Sequence, residues 1–275
     1  MALTELQLKP FADFIKRELG IIYESQNYFQ LEQRLEKIGQ ILWVGSAAEV
    51  CAQQVRSGIA GSLRHLLLDI ATNNETQFFR DPKVYKAINE HILPNLKTTF
   101  KGASSFKIWS TASSFGQEPY SLSILVDEFL ASQPTHPRFE ILATDISDTA
   151  LKRSSEGMYS QLEVQRGMSA PRLVKYFDKS ENDTWSAKRE LRGRMKFEKF
   201  NLLDPVPSGR EAHLILCRYV LIYQEQAKKI EIMGRLARAL LPGGYFVLGA
   251  SESGLGLCDA LEHVVHDGCV LYRKK

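Results

Sequence analysis

The stretch from Phe106 to Ile146 limits what this chain can fold into more than any other. It reads FKIWSTASSFGQEPYSLSILVDEF and then, after a short polar gap, FEILATDI. An apolar run ends in a loop of small residues, the loop opens an amphipathic helix, and a second apolar run ends on an acid. An open α/β domain builds a nucleoside pocket in this way. The loop at the first strand end holds the polar middle of the cofactor, and the acid after the next strand reads its ribose. The loop from Ala112 to Glu118 is not G-x-G-x-x-G and carries no Lys or Arg. A pyrophosphate wants a glycine-rich nest or a cation. A cofactor without phosphates fits better, and S-adenosylmethionine is the candidate.

The pattern around this stretch is strand–helix alternation. Strands are expected at Phe106–Ser110, Phe139–Thr144, Met195–Phe200, Leu214–Cys217, Tyr245–Gly249 and near Val270–Tyr272. Helices are expected at Glu118–Leu130, Ser147–Ser154 and Gln224–Leu240. Repeated βα units imply a mostly parallel sheet with helices on both faces. Gly157–Arg194 breaks the rhythm with Gly157, Gly167, Pro171, a short helical piece at Pro171–Phe177 and a polar segment around Lys179–Asp183. It reads as an inserted lid or small subdomain. Leu241-Pro242-Gly243-Gly244 reads as a turn.

The first 70 residues look different. Leu8, Phe11, Phe14, Ile15 and Leu19 recur at helical spacing, and Gly20 follows as a stop. Further helices are expected at Tyr28–Ile38, with Gly39 as its stop, at Ser46–Val55 and at Ser62–Ile70. Their mixed charges read as a solvated surface.

Length and composition set outer bounds. A chain of 275 residues makes one large domain or two modest ones. Its net charge of +3 gives no support for nucleic-acid binding, which shows a concentrated basic face. Cys51, Cys217, Cys258 and Cys269 lack C-x-x-C and metal spacing and read as reduced thiols, so no metal is expected. No basic region followed by an apolar core opens the chain, and no run nears the ~20 apolar residues of a membrane span. A cytoplasmic protein without membrane insertion is expected.

Several residues carry competing readings. Glu118 precedes Pro119 at a helix start, where a carboxylate either caps free N–H groups or faces a cationic cofactor. Asp145 ends its strand, to bind ribose hydroxyls or to cap the helix at Ser147. Asn201 follows another strand, to read an adenine edge or simply to turn the chain. Thr72 to Pro82, TNNETQFFRDP, is either a linker anchored by its two phenylalanines or part of a site.

NNETQFFRDP, WSTASSFGQEPYS, ATDIS, FNLLDP and LCRYVLIY occur in this order. Together they resemble the CheR-type chemotaxis receptor methyltransferases, over a span from about Leu19 to the C-terminus. The resemblance implies an α/β fold: a class I S-adenosylmethionine-dependent methyltransferase (Rossmann-like) domain with a small inserted β-subdomain, preceded by an all-α N-terminal domain. The helical domain would cover 1–71, a linker and helix with the FFR motif 72–105, and the methyltransferase domain 106–275, its insertion at about 157–194. The implied reaction is methyl transfer from S-adenosylmethionine, leaving S-adenosylhomocysteine, to glutamates on the cytoplasmic helical bundle of chemoreceptors, forming γ-methyl esters. The implied cofactor contacts are Thr76, Arg80, Ala112, Glu118, Asp145, Asn201 and Leu202, with Tyr219 at a further contact position. Arg80 is also implied in arranging substrate and cofactor, and Tyr223 stands near the transferring methyl. A monomer is expected.

One departure matters. The family usually carries Cys-Arg-Asn where this chain has Cys217-Arg218-Tyr219. Tyrosine has no carboxamide, and its ring would block the pocket, stack on adenine or swing aside. The alternative function is therefore a regulator that binds S-adenosylmethionine or S-adenosylhomocysteine with lost or reduced transferase activity.

Overall fold

The computed structural model describes residues 3–131, 137–180 and 182–275. Glu181, in the polar segment of the insertion, lies outside them. The chain divides into two units, Met1–Asn73 with Tyr223–Lys228, and Asn74–Ile222 with Lys229–Lys275.

The first unit holds four helices, α1 (Glu5–Leu19), α2 (Tyr28–Ile41), α3 (Ala47–Ser57) and α4 (Gly61–Ala71). Local chemistry sets their ends. Thr4 with Gln7 and Ser46 with Glu49 form capping boxes, and Gly20 closes α1 in the left-handed conformation. Leu8, Phe11, Ile15 and Leu19 form one buried stripe on α1. Helix α2 packs against α1, α3 and α4 through Leu31, Leu35 and Ile38. The expected stop at Gly39 is corrected: the helix runs on to Ile41, and Gly39 serves packing instead. A Cβ there would lie 2.9 Å from the Ser46 backbone.

The second unit opens with α5 (Pro82–Ala87), a wide helical turn at Ile88–Ile92 and α6 (Leu93–Thr99). The βα alternation then begins with β1 (Ser105–Ser110), α7 (Gln117–Ala131), β2 (Arg138–Asp145) and α8 (Asp148–Glu156). The insertion follows as β3 (Met158–Ser160), α9 (Gln161–Gln165), α10 (Ala170–Tyr176), β4 (Phe177–Lys179), β5 (Thr184–Ala187) and α11 (Arg189–Arg192). The chain returns through β6 (Met195–Lys199), β7 (Ala212–Leu216), α12 (Gln226–Ala239), β8 (Leu240–Val247), β9 (Leu261–His266) and β10 (Cys269–Lys274).

Seven strands form one sheet in the order β6-β2-β1-β7-β8-β10-β9. The first five are parallel, and β10 is antiparallel to both its neighbours. Strand β7 is buried along its whole length, as a central strand covered on both faces must be. Leu214 and Leu216 enter one core with Ile108 and Ile141, whereas Ile215 enters the other with Trp109 and Phe246. The strand order reverses at β1, between β2 and β7, so a crevice opens beyond the carboxyl ends of these strands.

The insertion carries a separate antiparallel sheet, β3-β5-β4. Phe78 sits against it, edge-on to Tyr159 at 4.9 Å and to Phe177 at 5.6 Å. The two phenylalanines of the FFR motif are thus core residues.

Two further details depart from the sequence reading. Leu241–Gly244 is not a turn outside the sheet but an irregular start to β8, with Gly243 at φ +82°. The pairing of β8 with β7 shifts register there. Strand β9 escaped sequence reading because its LEHVVH pattern is mostly exposed and offers no apolar run. The four cysteines form no disulfide. Burial pushes the Cys51 thiol up to about 11 and the Cys217 thiol well above its ordinary value.

Candidate active site

The loop after β1 is stretched between its two neighbouring strands. Thr111 N–H and its hydroxyl both donate to the Leu216 carbonyl at the end of β7, at 2.9 and 3.0 Å. Ser113 N–H donates to the Thr144 carbonyl of β2 at 2.9 Å. Ala112 is therefore held at the switch point, half-buried. Asp145 is buried at the end of β2. Its Oδ2 accepts from Ser114 N–H (2.8 Å) and its Oδ1 from Ser147 N–H (3.0 Å). Ser147, not Asp145, caps α8, accepting from Ala150 N–H. Asp145 thus ties the β1 loop to the start of α8 through both its carboxylate oxygens. Asn201 turns the chain after β6, its Oδ1 accepting from Leu203 N–H at 3.0 Å, and Leu202 follows half-buried.

The other half of the edge is built from charges. Arg218 follows β7 with only 2% of its side chain exposed. Its Nη1 donates to Glu118 Oε2 (2.8 Å), and its Nη2 donates to Asp81 Oδ2 (2.8 Å) and to the Arg80 carbonyl (2.6 Å). Glu118, the second residue of α7, also accepts from the Ser110 hydroxyl at 2.7 Å. Burial alone would lower the Arg218 pKa, but Glu118, Tyr85 and Asp81 outweigh it and keep the guanidinium charged. Burial pushes the Asp81 carboxyl up, yet hydrogen bonds from Tyr219 and the Ala250 amide, with the Arg218 charge, hold it below its ordinary value.

Tyr219 is engaged by protein groups on its ring and on its hydroxyl. Its ring lies under the Arg80 guanidinium, 3.7 Å from the centroid, and its hydroxyl donates to Asp81 Oδ2. Its backbone is left-handed, at φ +59°. Burial, then the Asp81 hydrogen bond, raises its phenol pKa. Arg80 Nη1 donates to the Glu75 carbonyl at 2.9 Å. Thr76 lies half-buried in the extended segment between them, which the Ser114 hydroxyl ties to the loop by donating to the Asn74 carbonyl (3.0 Å).

Sequence reasoning missed Arg218 and Glu252. Glu252 accepts from the backbone N–H groups of Tyr219 (2.5 Å), Val220 (3.1 Å), Ile222 (3.3 Å) and Gly249 (2.9 Å), fixing the turn after β7 to the end of β8. The available signal for Arg218 was its place directly after AHLILC, where a charge on a buried strand must find a partner. Backbone strain gathers here too. Among the described residues, Phe79, Asp81, Ser114 and Tyr219 are four of the seven non-glycine residues with positive φ. Tyr223 belongs to the first unit, where its hydroxyl accepts from Asn73 Nδ2 at 2.9 Å.

The donor set fits S-adenosylmethionine. The β1 loop presents acceptors and no cation, and Ser113 Oγ and Gln117 Oε1 are buried there without a hydrogen-bond partner. These are features for hydroxyl and amino groups rather than phosphates.

Comparison with known proteins gives the chain's relatives. A family model described as CheR methyltransferase, SAM binding domain, matches residues 74–266. The chain is 34% identical over 277 residues to the chemotaxis protein methyltransferase Cher2 of Pseudomonas putida, covering 100% of both. It is likewise 34% identical, at 100% coverage of both, to chemotaxis protein methyltransferase 1 of Pseudomonas aeruginosa. A chemotaxis protein methyltransferase of Vibrio parahaemolyticus is 30% identical, covering 100% of this chain and 99% of its own.

Proposed function

Because the chain belongs to the CheR methyltransferase family, and so is an S-adenosylmethionine-dependent methyltransferase of chemotaxis, we propose that its substrates are glutamate side chains on the cytoplasmic helices of chemoreceptors. The products are glutamyl γ-methyl esters. The observation that carries this reading is the pairing of a cation-free, acceptor-lined loop with one half-buried arginine, Arg80, on the segment that Ser114 and Arg218 tie to that loop.

S-adenosylmethionine, when bound, supplies a methyl group on a positively charged sulfur. Asp145 would accept its ribose hydroxyls, Asn201 and Leu202 would meet its adenine, and Thr76, Ala112 and Glu118 would line the remainder. A glutamate side chain has an ordinary pKa near ~4.3 and is ionised at neutral pH, so no general base is needed. Arg80 would hold that carboxylate, with N–H donors matched to two oxygens. The protein's contribution is alignment and exclusion of water, since opposite charges meet and disappear as the ester forms. No helix among the described residues is long and apolar enough to cross a membrane.

The test uses methyl-labelled S-adenosylmethionine and cytoplasmic fragments of chemoreceptors from the same genome. Alkali-labile label on the fragment, released as methanol and lost when the target glutamate becomes alanine, is the expected result. Arg80→Ala should cut the rate by a hundredfold or more, as loss of an aligning charge does. Label that survives alkali, or an Arg80→Ala variant at full rate, would refute the assignment.

A further inference from the structure

The stacking of the Arg80 guanidinium on the Tyr219 ring has no role in the Arg218 ion pairs beside it. Arginine carries a long, rotamer-rich side chain, and a half-exposed one ordinarily samples many positions. Here two contacts fix it. The guanidinium stacks 3.7 Å above the Tyr219 ring centroid, and one N–H reaches the Glu75 carbonyl. Stacking uses the face of the guanidinium and leaves its edge, where the remaining N–H donors point, free for a planar carboxylate.

The ring is itself held at several points. Its hydroxyl donates to Asp81, whose Oδ2 also accepts from Arg218 and from Ala250 N–H. Its own backbone N–H donates to Glu252. Gly249 stands against it: a Cβ there would lie 3.1 Å from both Cε atoms of the ring, so no larger residue passes without displacing it. The left-handed backbone at Tyr219 is costly for an aromatic residue, whereas asparagine adopts it readily. A strained tyrosine secured by two acids and a glycine is a built feature.

We infer that Tyr219 is a positioning residue for Arg80: the ring face holds the guanidinium so that its edge meets the substrate carboxylate. This rests on the assignment of Arg80 to the substrate. An asparagine could hydrogen-bond at this position but offers no ring face. The substitution therefore exchanges an amide contact for a second support of the catalytic arginine.

The test has two arms. The first is NMR of arginine side chains, with Arg80 assigned through Arg80→Lys. A guanidinium stacked on an aromatic face is shifted upfield. The shift should persist in Tyr219→Phe and vanish in Tyr219→Leu. The second is methyl transfer to a receptor fragment. Tyr219→Leu should lower kcat on the order of tenfold, the worth of a partly desolvated cation–π contact, with KM for S-adenosylmethionine changed less than threefold. Tyr219→Phe should recover most of that loss. In an Arg80→Ala background, Tyr219→Leu should cost nothing further. An unchanged Arg80 signal in Tyr219→Leu overturns the inference, and so does an equal loss with and without Arg80. An unaltered protein that shows the shift but methylates no fragment overturns the receptor reading and leaves the stacking standing.

Discussion

The two halves of the sheet's carboxyl edge are held by different forces. On the β1–β2–β6 side, the loop from Thr111 to Gly116, Asp145 and Asn201 are fixed by backbone N–H groups reaching carbonyls or side-chain oxygens. On the β7–β8 side, Asp81, Glu118, Arg218 and Glu252 join segments far apart in sequence through charge. The first arrangement leaves Ser113 Oγ and Gln117 Oε1 buried without a hydrogen-bond partner. The second is nearly closed on itself, since a buried guanidinium is stable only when surrounded. A loop held by neutral hydrogen bonds thus stands beside a rigid charged brace, with Arg80 and Tyr219 bonded to the brace through Arg218 and Asp81.

The sharpest way to break that contrast is Arg218→Met. Removing one partner leaves Glu118 and Asp81 as part-buried acids without their shared cation, which should cost about 3 kcal/mol, the low end for a broken buried pair. Urea denaturation at pH 7 reads this directly. A loss below about 1 kcal/mol would mean that the brace is worth no more than a surface ion pair.

The same contrast separates what the sequence disclosed from what it hid. Ser46, Ser147 and Gly20 act within one helical turn, so helix ends were readable from neighbours. β1 and β2 were readable because buried parallel strands are continuous apolar runs. Asp145 and Asn201 were legible as strand-end polar residues, although their alternative readings needed geometry to weigh. Arg218 was not legible, because its partners lie 100 and 137 residues away. Glu252 reads in isolation as an ordinary surface acid. Gly39 showed only as a glycine, and whether it stops a helix or admits a neighbouring backbone depends on what packs there.

A smaller effect is expected on the loop side. Asp145→Asn keeps the shape and one acceptor oxygen, and loses one N–H partner. Stability should fall by about 1 kcal/mol, the usual net worth of one hydrogen bond. Affinity for S-adenosylhomocysteine, read by calorimetric titration, should fall roughly tenfold, because hydrogen bonds to a carboxylate exceed those to an amide. A large stability loss with unchanged affinity would reverse the contrast and make the loop side the structural one.

The smallest effect concerns Asp81, whose carboxyl is held below its ordinary value after its hydrogen bonds and the Arg218 charge outweigh burial. A carboxyl depressed in the folded state binds its proton more readily once the chain unfolds. Its contribution to stability is therefore complete above the unfolded value of about 3.9, and is lost as pH falls through the lower folded value. The comparison is between the unaltered protein and Asp81→Asn in urea at pH 7, 5 and 3. The gap should be equal at pH 7 and 5 and narrow at pH 3, because protonation then does to the unaltered protein what the substitution already did. The side chain is partly open to solvent, so screening keeps this gap smaller than the Arg218 effect. A gap that stays constant down to pH 3 would mean that Asp81 holds Tyr219 and Arg218 by shape alone, and the charged half of the edge would then rest on Glu118.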